Sequence, residues 1–194
     1  MLALPPAPSP ARPRMMLVGT ALVCAAGAML FAGMIGVWFN LREAAGGTTA
    51  GWLPEGAVVP EVATNVMLFG MIAISFMAQW AVYAMKDANR KDSAIALGVT
   101  VLLGLAMVNA QAYVYGQMGL GISGGVYQSL FYALTGTWLA ALLGGIAFTG
   151  IVAFRSLGGR YTPKRHEGVA ALAMYWHFLT VAFVAVWFTV YVWK

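Results

Sequence analysis

His177, within Tyr175-Trp176-His177-Phe178, is the one ionisable side chain that falls inside an apolar stretch of this chain. An imidazole in such a place can carry a proton, hold a metal or make a hydrogen bond, and each use demands partners. A proton path needs a series of ionisable groups, yet no Asp, Glu, Lys or Arg falls within the apolar stretches. A low-spin haem needs two axial ligands, but the second histidine, His166, stands in a basic loop beside Arg165 and Glu167. Copper and non-haem iron sites want several His or carboxylate ligands. The residues therefore speak against an autonomous pump, a proton-coupled transporter or a redox centre. Two readings of His177 stay open. One is a neutral imidazole hydrogen-bonded to a neighbouring helix or to Tyr113 or Gln111. The other is a contact to a lipid headgroup or a partner subunit.

The elements that must position these residues follow from composition. Charged residues make up 9% of the chain and hydrophobic ones 61%, far from the roughly 25% charged of a soluble domain. Apolar runs over 15–39, 62–85, 93–115, 126–154 and 169–193 each approach or exceed the ~20 residues that a ~30 Å hydrocarbon core requires. The fold expected is all-α: an integral membrane bundle of five transmembrane helices over 15–194, preceded by a leader, 1–14. Five prolines keep that leader from being helical. The fourth run is long enough to tilt or project from the membrane.

The formal charge of +5 does not point to nucleic acid, because the basic residues sit in alternate loops rather than on one soluble face. Arg12, Arg14, Lys86, Arg90, Lys91, Arg155, Arg160, Lys164 and Arg165 share one side, whereas Arg42 and Lys194 share the other. The positive-inside rule then puts the N-terminus in the cytoplasm and, after five spans, the C-terminus outside. The first run is too long for the apolar part of a signal peptide and no A-x-A site follows it, so it is expected to stay as an anchor. The single cysteine, Cys24, offers no disulfide framework and no C-x-x-C motif.

Loop chemistry completes the outline. Residues 40–61 form the longest connection, with Gly46-Gly47, Trp52, Pro54 and Pro60 prescribing turns and Trp52 suited to the membrane interface. The short 86–92 segment makes the second and third spans antiparallel neighbours, and 116–125 is an uncharged external turn. Ala28 and Ala32, and then Gly136, Ala140 and Gly144, recur at a spacing of four, which puts small residues on one helix face where another helix can approach closely. The Gly136 face is the expected packing seam. The residues alone describe a five-helix membrane module with packing seams and no catalytic constellation.

Several stretches, in collinear order, resemble the haem-copper oxidase subunit III family in its short five-helix form. Met29-Leu30-Phe31-Ala32-Gly33, then Trp38-Phe39 and Arg42, is similar to the family's M-F-F-A-G, aromatic pair and arginine. Trp52, Pro54 and Pro60 resemble its W-P loop. Gln111-Ala112-Tyr113-Val114-Tyr115 matches part of a Q-x-Y-E-Y/W pattern. Tyr127, Ser129, Phe131, Tyr132, Thr135-Gly136 and Gly144-Gly145 follow the fourth helix; Tyr161-Thr162-Pro163 and Tyr175-Trp176-His177-Phe178 close the series. The departures are systematic. Gly27 stands where the family has a buried glutamate, Val114 where it has another, Trp138 and Ala141 where it has an H-x-x-H pair, and Thr180 where an aspartate is expected.

The resemblance implies a non-catalytic structural and lipid-binding subunit of a respiratory terminal oxidase in a bacterial plasma membrane. It further implies that haem and copper reside in partner subunits I and II, with phospholipid bound in a cleft between the first two spans and the last three. His177, Tyr175, Trp176 and Gln111 would be internal contacts, and Arg42 a lipid-phosphate partner near the external interface. Glycine at position 27 would allow close helix approach. Because the carboxylates are gone, a proton-collecting role is not carried over. An accessory protein of nitric oxide reductase shares the same fold, and an orphan membrane protein holding a hydrophobic ligand is the third possibility.

Overall fold

The computed structural model describes residues 14–47, 52–54, 56–121 and 124–193. The leader other than Arg14, and Lys194, lie outside these. Five long helices follow one another: α1 (Met15–Ala44), α2 (Glu61–Lys86), α3 (Arg90–Met118), α4 (Val126–Leu157) and α5 (Glu167–Trp187). The last turn of α5 continues at π-helical pitch through Phe188–Val192. All five are long and apolar enough to cross a membrane, and no strand occurs among the described residues, only a single bridge between Thr162 and Arg165.

Most helices outrun their apolar runs by a few polar residues, because the backbone ladder can continue past the hydrocarbon boundary. At the start of α3, the side chain of Asn89 accepts from the Asp92 N–H at 3.2 Å, which supplies one of the donors a helix start leaves unpaired. The preceding α2 ends with Asn89 N–H donating to Ala84 O at 2.9 Å and with Ala88 at φ 59°, a left-handed position that favours glycine.

The helices alternate in direction. Leu17 and Glu167 meet at one end of α1 and α5, and the Phe39 and Trp193 rings meet 5.5 Å apart at the other, so these two helices are parallel. The short 87–89 connection forces α2 and α3 side by side, and α3 in turn packs on α4. Helix α5 is the hub: it touches α1, α2 and α4, and 56% of its apolar window is buried against 6% for α1.

This differs from the grouping of two spans against three. Helix α1 leans on α5 and lightly on α4, while α2 packs on α3 and α5. Residues 45–60 can cover tens of ångströms at ~3.3 Å per residue, so the connection does not oblige α1 and α2 to be neighbours.

Side chains of α5 tie the bundle together. Tyr175 Oη donates to Ala141 O of α4 at 2.7 Å and Trp176 Nε1 to Thr149 Oγ1 of α4 at 2.9 Å. Thr180 Oγ1 donates to Met71 O of α2 at 3.1 Å. The seam between α4 and α5 closes over Gly145: a methyl group there would lie 3.0 Å from the Tyr175 ring and 3.2 Å from that of Trp176.

Candidate functional site

At the end of the bundle where α1 and α5 begin, a depression of about 1440 Å³ is lined by Arg14, Lys86, Arg155, Arg160, Lys164 and Arg165, with Glu167 as its one carboxylate. Its wall is built by the connection from α4 to α5. Helix α4 ends with Gly159 at φ 71° and Arg160 N–H donating to Arg155 O at 3.0 Å, a left-handed stop that turns the chain back. Arg165 N–H then donates to Thr162 O at 2.8 Å across Pro163-Lys164, and His166 Nδ1 donates to Pro163 O at 2.7 Å. Tyr161 is buried under this turn with its hydroxyl against Gly168, where a side chain would collide with it.

Two helix N-termini add partial positive charge to the six cations. The first turn of α1 has no side-chain cap of its own; Glu167 Oε1 accepts from Leu17 N–H at 3.0 Å instead. The arrangement can bind a phosphate or carboxylate at the membrane surface. The sequence scattered these cations over three segments and read them as topology signals; the turn at Thr162–Arg165 that gathers four of them was not legible.

His177 occupies a second polar site, on the seam between α5 and α2. Its Nε2 lies 3.1 Å from Gln79 Oε1 and its Nδ1 meets Ser75 Oγ. With the Gln79 oxygen as acceptor, Nε2 carries the proton and Nδ1 accepts from the serine, so the neutral ring is satisfied at both nitrogens. The partners are thus on a neighbouring helix and are neither Tyr113, which is exposed, nor Gln111, which is buried elsewhere. Ser75 was missed; its i, i+4 spacing from Gln79 on one face of α2 was the available signal. No trio of His, Cys, Asp or Glu side chains gathers to hold a metal among the described residues.

The other predicted contacts separate. Tyr175 and Trp176 face α4, and Trp176 is fully buried. Arg42 is half-buried at the far end of α1, where its carbonyl accepts from Gly47 N–H at 3.1 Å. Gly27 faces α5: a methyl there would come within 2.7 Å of the Phe178 ring. Gly136 has open space above it, and Ala140 and Gly144 are exposed. The seam inside the chain therefore runs one residue over, along Trp138, Leu142, Gly145 and Thr149, and the Gly136–Ala140–Gly144 face looks outward. Helical periodicity put the three small residues on one face, as expected, but could not tell which way that face turned.

The positions expected to be acidic or basic are filled with neutral packing. Val114 and Trp138 are fully buried, Trp138 lies 4.5 Å from the Phe183 ring, and Ala141 and Thr180 enter the hydrogen bonds already described.

Comparison with known proteins bears on this arrangement. The family model described as cytochrome c oxidase subunit III matches residues 12–194. The chain belongs to the cytochrome c oxidase subunit III family. Cytochrome c oxidase subunit 3 of Oryctolagus cuniculus is 32% identical over 148 residues, which cover 73% of this chain and 55% of that protein. The Homo sapiens protein of the same name is 33% identical over the same length. A probable cytochrome c oxidase subunit 3 of Rickettsia conorii is 33% identical over 136 residues, 69% of this chain and 47% of that one. The chain thus spans about half the length of the curated relatives it matches. Membership gives the short five-helix bundle a place among multi-span membrane proteins and agrees with the order of motifs from Met29 to Phe178.

Proposed function

We propose that this chain is a non-catalytic structural subunit of a haem-copper terminal oxidase in a bacterial plasma membrane, packed against the catalytic subunit I, next to subunit II, and holding membrane phospholipid. The observation that carries the reading is the family match across residues 12–194. Haem and copper belong to the partners in this reading, since both nitrogens of His177 are already engaged by Ser75 and Gln79.

Two outward faces suit a partner. Gly136 has open space beside it and Ala140 on α4 and Ala28 and Ala32 on α1 are exposed, with Gly144 at the edge of this face beside the Tyr175 hydroxyl, and small residues let a second membrane helix come close. The basic depression suits the phosphate of an anionic phospholipid, whose chains would run beside α1. Arg42 sits near the opposite interface, where it can meet a second headgroup. The charge asymmetry supports a cytoplasmic face for the depression, with the N-terminus inside and the C-terminus outside. Reporter fusions after Asn89 and Gly47 test that orientation, the first expected on the cytoplasmic side and the second outside.

The matched relatives are named for cytochrome c oxidase, which favours an oxygen-reducing partner over nitric oxide reductase and over a solitary ligand-binding protein. Affinity purification of the tagged chain from mildly solubilised native membranes decides among the three. An oxidase reading requires subunits I and II and their haem and copper spectra in the same peak. Nitric oxide reductase subunits there, or the chain alone, would replace it.

A further inference from the structure

Asn109 is a carboxamide that the bundle leaves on its outside. Helix α3 packs on α2 and α4, and Asn109 stands on its open side, exposed, with no hydrogen bond to its side chain among the described residues. At a rise of about 1.5 Å per residue it lies about 9 Å inside the end of the apolar stretch at Tyr115 and about 28 Å from Arg90. An asparagine side chain is too short to reach the headgroups from there, and hydrocarbon offers neither donor nor acceptor. The imidazole and the other deep carboxamides are provided for within the chain: His177 meets Gln79, and Gln111 lies beside Tyr115 and Tyr191. Asn65 and Gln128 belong to the first turns of α2 and α4, at the membrane surface.

Asn109 also belongs to a regular stripe. Gly98, Leu102, Leu105, Asn109, Ala112 and Gly116 follow one another at alternating spacings of four and three, and all of them are exposed. A side chain added at Gly98 or Gly116 would meet nothing within 4 Å, so the backbone at both ends of the stripe is bare to an approaching helix. Leu102 and Leu105, 67% and 50% exposed, fill the middle. A repeat of this kind is the seam that two parallel helices keep when they wind around each other with a left-handed twist, and a single asparagine in it sets the register and the number of strands.

Whatever covers this face must bring a donor and an acceptor to the depth of Asn109. A phospholipid acyl chain supplies neither. A second copy of the chain supplies both, because two copies inserted in one membrane share their orientation and pair about a two-fold axis along the membrane normal. Helix α3 then lies parallel to its twin, each residue of the stripe meets its own counterpart at the same depth, and the two Asn109 amides, each with N–H donors and a carbonyl acceptor, can bond reciprocally.

We propose that this chain pairs with a second copy of itself through the Gly98–Gly116 stripe of α3, with the two Asn109 side chains as the polar contact within it. Helix α1 packs on α5 and lightly on α4, so its small residues stay open to a catalytic partner in the pair. The inference holds whichever catalytic partner the chain serves, and it makes the assembly two-fold.

Cysteine cross-linking in native membranes that hold the complete assembly tests the pairing. Ala112→Cys is compared with Val37→Cys, which is near the same end of α1 at a position 49% exposed, and with the parent chain, whose one cysteine is Cys24. Oxidation by copper–phenanthroline should convert most of Ala112→Cys to a disulfide-linked dimer of this chain and leave the other two monomeric. A second measurement follows energy transfer between donor- and acceptor-labelled copies of the purified assembly as lipid vesicles dilute them. Asn109→Leu should weaken association roughly tenfold, the scale of one polar pair between model membrane helices, and Asn109→Gln should recover part of the loss. Equal cross-linking of Ala112→Cys and Val37→Cys, a link from Ala112→Cys to a different polypeptide, or Asn109→Leu association as tight as that of the parent chain overturns the proposal.

Discussion

The carboxylate of Glu167 accepts a hydrogen bond from the backbone N–H of Leu17 at 3.0 Å, so the first turn of α5 caps the first turn of α1. Helix α1 has little else to hold it at that end: its own N-cap residue, Arg14, makes no side-chain cap, and almost none of its apolar window is buried. Glu167→Ala should cost about 0.5 to 2 kcal/mol, the usual loss for a missing cap. Glu167→Gln keeps an acceptor oxygen and should retain part of it. Thermal unfolding of the purified chain, with limited proteolysis near Arg14 as a local readout, checks both. Equal stability of Glu167→Ala and the parent chain would mean that α1 is held by its apolar contacts with α5 alone.

The basic depression leads to a prediction about lipid. Replacing Arg155 and Arg160 by glutamine should weaken retention of anionic phospholipid, roughly fivefold for each charge removed near the membrane surface. Zwitterionic lipid should be unaffected. Native mass spectrometry of the purified assembly reads the two classes separately. If neither class changes, the cations serve topology and not a headgroup.

His177 makes a separate claim, because its two hydrogen bonds cross from α5 to α2 at Ser75 and Gln79. Interhelical bonds inside a membrane average about 0.6 kcal/mol each, so His177→Leu should lower stability by about 1 to 2 kcal/mol. It should leave any haem or copper spectrum of the assembly untouched. A shifted or bleached spectrum would give the imidazole a part in the partner's redox centre.

The five spans and their order were legible because hydropathy alone fixes where a chain can cross a membrane. The polar extensions, such as Arg90 to Asp92 at the start of α3, were not, since a helix beyond the hydrocarbon boundary leaves no apolar signal. Which side of each helix faces the core was legible only in part. Small residues four apart marked a face on α4, but the buried seam is at Gly145 because Tyr175 and Trp176 of α5 project there. The bond from Leu17 to Glu167 joins residues 150 positions apart, and no local pattern announces it. The motif Tyr175 to Phe178 was recognisable as a unit, yet its side chains turn out to serve different neighbours: Tyr175 and Trp176 reach α4, and His177 reaches α2.

Gly27 brings the missing carboxylates to a test. Position 27 is where the resembled pattern has a buried glutamate, and here a methyl group would approach the Phe178 ring to 2.7 Å. Gly27→Ala should therefore push that ring aside, a change the half-buried Phe178 can absorb at its far end with a small loss of stability. Gly27→Glu must displace the ring further and place an ionisable group at membrane depth, which costs roughly 2.5 to 3.5 kcal/mol on insertion scales if charged. No Lys or Arg falls within the apolar stretches to offset it, so protonation of the new carboxyl is the expected relief. The expected outcome is lower yield of the assembled complex with Gly27→Glu than with Gly27→Ala, and no gain in proton uptake. Intact assembly together with faster proton uptake or longer-lived turnover of the partner enzyme would show that the glutamate's role can still be restored here, and that replacing it by glycine did not commit the chain to packing alone.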